Sequence, residues 1–189
     1  PNTLGGYYST FTEFFGFNSN SEEGKLMALA SFGKYSETIQ SKLNKFLKYN
    51  KKTGDFSLDP VLRFGGKRFT NPRFSEKFIS IFGKPLFNNK KILKYHKDLA
   101  FNVQWRLEKV VKLLVKDLIK ITKIQNLCLA GGVHMNCKLN GVLANLPEVK
   151  KLYIQPASSD NGVALGAAML SAKNEKGSFS KMDHCYYGN

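Results

Sequence analysis

The sequence predicts an α/β fold, and three observations point to it. Two apolar runs, "NLCLA" (126–130) and "KLYIQP" (151–156), each stop at a small-residue turn and restart with a helical pattern. A long amphipathic helix precedes the first run, and a second helix separates the two. Helix–strand–helix–strand–helix with short links is the order that lays two strands parallel, with a right-handed crossover.

Taken in order, "YYSTFTEFFGF" (7–17) is an aromatic segment suited to a short buried helix. "EEGKLMALASFG" (22–33) predicts a second helix stopped by Gly33. Asn20 or Ser21 is the expected cap, with Glu22 and Glu23 in the first turn, where the helix dipole favours acid. The pattern weakens from 36 to 95, which reads as an elaboration on a core fold. Within it "ETIQSKLNKFLKYN" has apolar residues at 39, 43, 46 and 47, the spacing of an amphipathic helix. "TGDFSLDP" reads as turn then strand, "RFGGKRFTNPRF" as a broken loop, and "SEKFISIFG" as a short helix ended by glycine.

Residues 96–122 are the clearest element. Leu99, Val103, Leu107, Val110, Leu114, Leu118 and Ile121 recur at steps of three and four, forming one apolar stripe. At 1.5 Å per residue such a helix is ~40 Å long and spans a domain. Strand 126–130, the Gly131-Gly132 turn, a helix through about Leu146, strand 151–156, the turn at 157–161 and a small-residue helix over 162–173 complete the fold. The reading is therefore one lobe over 1–172, elaborated at about 36–95, with 173–189 as a linker leading out.

Composition excludes several classes. Hydrophobic content of 42% with 13% aromatic residues lies well away from disordered chains. No apolar run approaches the ~18–20 residues that cross a bilayer, and no basic start followed by an apolar core marks a signal peptide. Cys128, Cys137 and Cys185 are too irregular for a disulfide framework, which suits a reducing, cytoplasmic setting; Cys128, inside an apolar run, reads as a small core residue. The net charge of +15 invites a nucleic-acid reading. The charge is almost all Lys, with Arg only at 63, 68, 73 and 106, and base readout and bidentate phosphate contacts favour Arg. A solvated surface explains it better, with attraction of an anionic small substrate as the next reading and nucleic acid last.

The loops carry the chemistry. Gly131 and Gly132 end a strand before a helix: either a tight turn that needs glycine, or bare backbone N–H groups that let a nucleotide approach, with Asn136 reaching back toward it. Asp160, after "SS" and before "NG", is either a helix N-cap or a metal ligand whose partners lie outside this sequence. His134 and Cys137, at i and i+3, share a predicted helix face and read as packing, because two further metal ligands are lacking nearby. Gly162 and Gly166 with Ala164, Ala167 and Ala168 make a smooth face for close packing, and Lys25 is a solvated lysine or a phosphate neutraliser.

Three stretches in combination go further. "LCLAGGVHMNCKLNG" resembles the Leu-Ala-Gly-Gly-Val-x-x-Asn-Cys-x-x-Asn-Gly motif of the O-carbamoyltransferases related to nodulation protein U and to antibiotic-tailoring enzymes. "EEGKLMALASFGKY" resembles their Glu-x-Lys-x-Met-x-Leu-Ala-x-Tyr-Gly motif, with Phe32 at the Tyr. "IQPASSDNGVALGAAM" is similar to their Pro-Pro-x-x-x-Asp-x-Gly turn, with Gln155 at the first proline. The resemblance runs over essentially the whole chain, from "PNTLGGYYSTF" to "HCYYGN".

The resemblance implies an actin/Hsp70/hexokinase-like (ribonuclease H-like) lobe, cytoplasmic, of an enzyme that uses ATP and carbamoyl phosphate, forms carbamoyl adenylate and passes the carbamoyl group to a hydroxyl-bearing small molecule. It implies that Gly131, Gly132, Val133, Asn136, Asn161, Gly162 and Lys25 face the nucleotide, and that Asp160 binds a divalent metal, iron in related proteins. The family's His-x-x-x-His pair is absent from this sequence, so the other metal ligands are expected on a missing first lobe. The carbamate-generating C-terminal domain is expected beyond the linker, and an isolated lobe is expected to be inactive. A non-catalytic interaction lobe, or a tRNA threonylcarbamoyl-transferase or kinase of the same fold, are the alternatives left open.

Overall fold

A computed structural model describes residues 2–60, 72–87, 91–175 and 177. The chain divides into two compact units, Pro1–Lys123 and Ile124–Asn189. The loop expected at "RFGGKRFTNPRF" falls mostly outside the described residues, as do the end of the linker and Cys185.

In the first unit, α1 (Leu4–Phe14) starts at Thr3, whose hydroxyl accepts from the Gly6 N–H at 2.9 Å. Tyr7, Phe11 and Phe14 fall on its buried face at helical spacing. α2 (Glu23–Ala30) begins after a cap different from the one expected. Glu22 occupies the N-cap without a side-chain capping bond. The carboxylates of Glu22 and Glu23 instead reach back to the N–H groups of Asn18 and Asn20, at 2.8 and 2.7 Å. Asn20 and Ser21, the expected caps, thus lie in a turn before the helix, and the acidic side chains bond donors of that turn.

α3 (Glu37–Phe46), capped by Ser36, buries Ile39, Leu43 and Phe46 as the spacing predicts. The expected helix ends earlier than its apolar pattern, and Leu47–Asn50 (β1) pairs antiparallel with Asp55–Leu58 (β2). α4 (Glu76–Phe82) is capped by Ser75 and ends at Gly83, whose φ of 92° is a glycine conformation. α5 is a single helix over Lys94–Thr122. Its buried stripe follows Leu99, Val103, Leu107 and Val110, then drifts to Val111, Val115 and Ile119. Leu118 and Ile121, expected on the stripe, are 50% and 78% exposed. The line of contact on a straight helix of 3.6 residues per turn shifts over eight turns, and the second half follows steps of four.

The core of this unit is aromatic. Phe11 lies 5.1–5.7 Å, ring centre to ring centre, from Tyr7, Phe46, Phe78 and Phe82, mostly edge to face, the arrangement that the ring quadrupole favours. Buried polar groups are tied down. Tyr7 Oη donates to the Val103 carbonyl at 3.2 Å and Tyr8 Oη to Gln104 at 2.7 Å. Arg106, buried on α5, donates through Nε and Nη2 to the Leu47 carbonyl, pinning the start of β1. Burial lowers the Arg106 pKa and raises that of the nearby Tyr7 phenol well above its ordinary value.

The second unit is a parallel pair, β3 (Asn126–Leu129) and β4 (Lys151–Ile154), in the register Leu127↔Leu152 and Leu129↔Ile154. Connecting them are a 3₁₀ turn (Gly132–Met135) and α6 (Cys137–Ala144), which buries Leu139 and Leu143. α7 (Asn161–Asn174) follows β4. The parallel α/β wiring expected from the sequence is present. Cys128, expected in the core, is exposed: side chains alternate along a strand, and Leu127 takes the inward position. No helix among the described residues is long and apolar enough to cross a membrane.

Candidate functional site

The two turns singled out in the sequence meet in the second unit. The Gly131 N–H donates to the Ser158 carbonyl at 2.6 Å, so the loop after β3 is bonded directly to the loop after β4. This bond follows from the parallel pairing: strands in register end side by side, and their C-terminal loops emerge together, which is where α/β sheets bind ligands.

Each loop is built by local chemistry. Gly131 has φ 96° and ψ 155°, a conformation essentially reserved for glycine. A Cβ on Gly131 or on Gly132 would meet no atom within 4 Å, so this bend presents an open backbone surface. The conformation needs glycine at Gly131, and the space around it is unfilled; packing supplies no second reason. Val133 lies within the 3₁₀ turn and is half-buried.

Asn136 sits between the 3₁₀ turn and α6 in an extended conformation, and its Oδ1 accepts from the Leu139 N–H at 2.9 Å. It caps α6 instead of riding on it. That break also removes the shared helix face expected of His134 and Cys137, because they belong to different elements. His134 is held locally: its Nδ1 lies 3.1 Å from Asn140 Oδ1, and its carbonyl accepts from Asn140 Nδ2 at 2.7 Å.

The second loop is held from below. Ser158 is buried, its hydroxyl bonded to the Gln155 carbonyl. Gly162 allows the start of α7 to lie against Ala157, since a Cβ there would overlap the Ala157 carbonyl oxygen. Asp160 stands at the N-cap position of α7, yet its side chain makes no capping bond and the residue is exposed. Its backbone N–H donates to the Ser159 hydroxyl oxygen at 2.6 Å. The structure thus gives Asp160 the position of a cap without the bond of one. Asn161 is likewise exposed in the first turn. No group of three or more His, Cys, Asp or Glu side chains that could hold a metal occurs among the described residues, so Asp160 is a single carboxylate donor here.

Lys25 belongs to the first unit, on α2. Its ammonium pairs with Glu22 and lies 5.8 Å from the centre of the Phe17 ring. A residue the sequence undervalued is Gly33, expected only as a helix stop. A Cβ there would overlap the Lys97 carbonyl oxygen and crowd Phe101, so Gly33 lets the 31–36 loop lie directly on α5.

Comparison with known proteins supplies the remaining findings. The sequence profile of the family described as "Carbamoyltransferase N-terminus" matches residues 1–169. An uncharacterized protein of Synechocystis sp. is 39% identical over 175 residues, covering 89% of this chain and 27% of that protein. An uncharacterized protein of Methanocaldococcus jannaschii is 34% identical over 170 residues, 90% of this chain and 26% of its own length. Nodulation protein NolNO of Sinorhizobium fredii is 40% identical over 96 residues, 49% of this chain and 14% of its own length. The chain spans about a quarter of the length of the first two relatives.

Proposed function

The chain belongs to the carbamoyltransferase family, and from that premise we propose that it is the second, nucleotide-facing lobe of an ATP-dependent O-carbamoyltransferase with an actin-like fold. The observation that carries this reading is the bond between Gly131 and Ser158, which joins an open glycine bend to the loop bearing an exposed, uncapped carboxylate, Asp160.

In this reading the Gly131–Gly132 backbone and the first turn of α7, Asn161 and Gly162, approach the phosphate of an adenylate. Amide N–H groups and the positive end of a helix favour an anion there, more strongly as charge builds on the departing phosphate. Val133 flanks the bend, and Asn136 holds the start of α6 so that the bend keeps its shape. Asp160 would hold a divalent cation, iron in the family reading, together with ligands contributed from outside this chain. When bound, that ion neutralises phosphate charge. A lone exposed carboxylate fits this shared role and does not make a site by itself.

In this reading water cleaves carbamoyl phosphate to carbamate and inorganic phosphate. A carbamate oxygen attacks the α-phosphorus of ATP and releases pyrophosphate to give carbamoyl adenylate. The acceptor hydroxyl then gives up its proton and attacks the carbamoyl carbon, releasing AMP. The experiment is to incubate the full-length enzyme with carbamoyl phosphate and ATP and to follow AMP and pyrophosphate. Release of both, with loss of carbamoyl transfer on the order of a hundredfold in Asp160→Asn, is expected from removing one charged contact to the reacting phosphate. No AMP from the wild-type enzyme overturns the proposal.

A further inference from the structure

One surface of the first unit lies outside the glycine bend and the Asp160 loop. Loop 31–36 lies along α5, where Lys97, Phe101, Trp105 and Lys109 follow one another at steps of four on one face. Phe32 and Tyr35 are 72% and 48% exposed. Tyr35 stands edge to face with Trp105 at 5.1 Å, the Lys109 ammonium lies 4.7 Å from the centre of the Trp105 ring, and that of Lys97 lies 5.9 Å from the centre of Phe32. The result is a strip of rings studded with ammonium groups.

The strip is rigid. Asn102, fully buried, accepts the Ser36 N–H at 3.1 Å and donates to the Lys34 carbonyl at 2.9 Å. Asp98 accepts the Lys34 N–H at 2.9 Å, and Gly33 seats the loop against α5. Large rings held in place lose little freedom when they are covered, the property that makes aromatic residues strong anchors at interfaces.

Charge selects the partner. The nearby carboxylates are engaged: Asp98 by Lys34 and Lys94, Glu37 by the Tyr35 hydroxyl at 2.7 Å, and Glu108 by Gln104 at 2.8 Å. Among the described residues, neither Lys97 nor Lys109 makes an ion pair. Nucleic acid is disfavoured on geometry, because bases stack on open ring faces, whereas an ammonium already stands over Trp105 and another over Phe32. Arginine is also missing from the strip.

We propose that this strip, Phe32, Tyr35 and Trp105 with Lys34, Lys97 and Lys109, is a docking site for an acidic segment of a partner polypeptide. Its carboxylates meet the three lysines while an apolar side chain covers the exposed Phe32 and Tyr35 rings.

Trp105 is the only tryptophan in the chain, so its emission reports occupancy directly. The 189-residue chain is titrated with a short peptide alternating glutamate and leucine, with the same peptide carrying lysine in place of glutamate, and with oligouridylate. A saturable change in Trp105 emission with the acidic peptide alone is expected. Lys97→Glu with Lys109→Glu weakens it by about tenfold or more, as expected for reversing two interfacial charges. Lys51→Glu with Lys52→Glu, the same change of net charge in the β1–β2 turn, leaves affinity within about twofold. Phe32→Ser, which keeps every lysine, weakens binding as well, and circular dichroism checks that each variant is folded. Equal weakening by both lysine pairs, no effect of Phe32→Ser, no saturable change with the acidic peptide, or a saturable response to oligouridylate overturns the proposal.

Discussion

The two units of this molecule use their residues in opposite ways. The first encloses Tyr7, Phe11, Phe14, Phe46, Phe78 and Phe82 almost completely. The second buries Leu127, Leu139, Leu143 and Leu146, while α7 has no buried residue although Lys173 is its only charged side chain; Val163 and Leu170 on it are 72% and 60% exposed. An apolar helix without a polar face is normally covered, and a parallel pair of strands normally belongs to a larger sheet covered on both faces. Among the described residues the closely packed core thus lies in the first unit, and the second presents the loops where the proposed chemistry takes place.

The sharpest way to break this contrast is to delete one ring. Phe11→Ala is expected to cost about 3–5 kcal/mol, the range for a buried phenylalanine, measured as a fall in the denaturation midpoint. Val163→Ala, on the exposed helix, is expected to stay within about 0.5 kcal/mol. Comparable losses from both would mean that the second unit is as tightly packed as the first.

Gly33→Ala comes next. Its Cβ would overlap a backbone carbonyl that cannot move without displacing α5, and a loss of about 1–3 kcal/mol is expected, typical of overpacking. Gly131→Ala tests the second unit by a different route. Only backbone strain opposes it, because the added methyl meets empty space, and a cost of about 1–2 kcal/mol is expected from its positive φ. In the full-length enzyme this variant is also expected to weaken nucleotide binding, read by calorimetry. Gly131→Ala with full stability would show that the bend is not held in its glycine conformation.

The smallest effect is pH-dependent. His96 Nδ1 accepts the Leu93 N–H at 3.0 Å at the start of α5, and burial lowers its pKa below the usual 6.5. A depressed histidine pKa means that the fold prefers the neutral ring. Its contribution is present above the unfolded value of about 6.5 and is lost as pH falls through the lower folded value. Denaturation midpoints measured on either side of that window are expected to fall on acidification, and less so in His96→Asn. An unchanged difference in the variant would assign the effect elsewhere.

Legibility in the sequence followed the same division. Helix spacing located α1, α3, α4 and most of α5, because each buries a stripe against one core, and period alone reports that. The drift of the α5 stripe to Val115 and Ile119 was not legible, since it depends on which neighbours are packed alongside. Nor was the reach of Glu22 and Glu23 back to Asn18 and Asn20, because capping depends on backbone direction. In the second unit the parallel strands and both turns were legible from small residues after apolar runs. What was missed came from assuming a continuous helix after Gly132: the break at Asn136 separates His134 from Cys137. Cys128 was misplaced because four strand residues do not reveal which face a sheet covers. Gly33 and Asn102 carry no motif of their own, and their role emerges only when loop 31–36 is laid on α5.

The central claim is that the glycine bend and the Asp160 loop face one phosphate-and-cation site. Amide spectra of the full-length enzyme titrated with ATP and with Mn²⁺ test it most directly, because the ion broadens signals only close to where it sits. The account predicts shifts of the Gly131, Gly132 and Gly162 amides with ATP, Mn²⁺ broadening centred on Asp160, and loss of that broadening in Asp160→Asn. Broadening unchanged in Asp160→Asn, or amides of the two loops that never move with nucleotide, would contradict it.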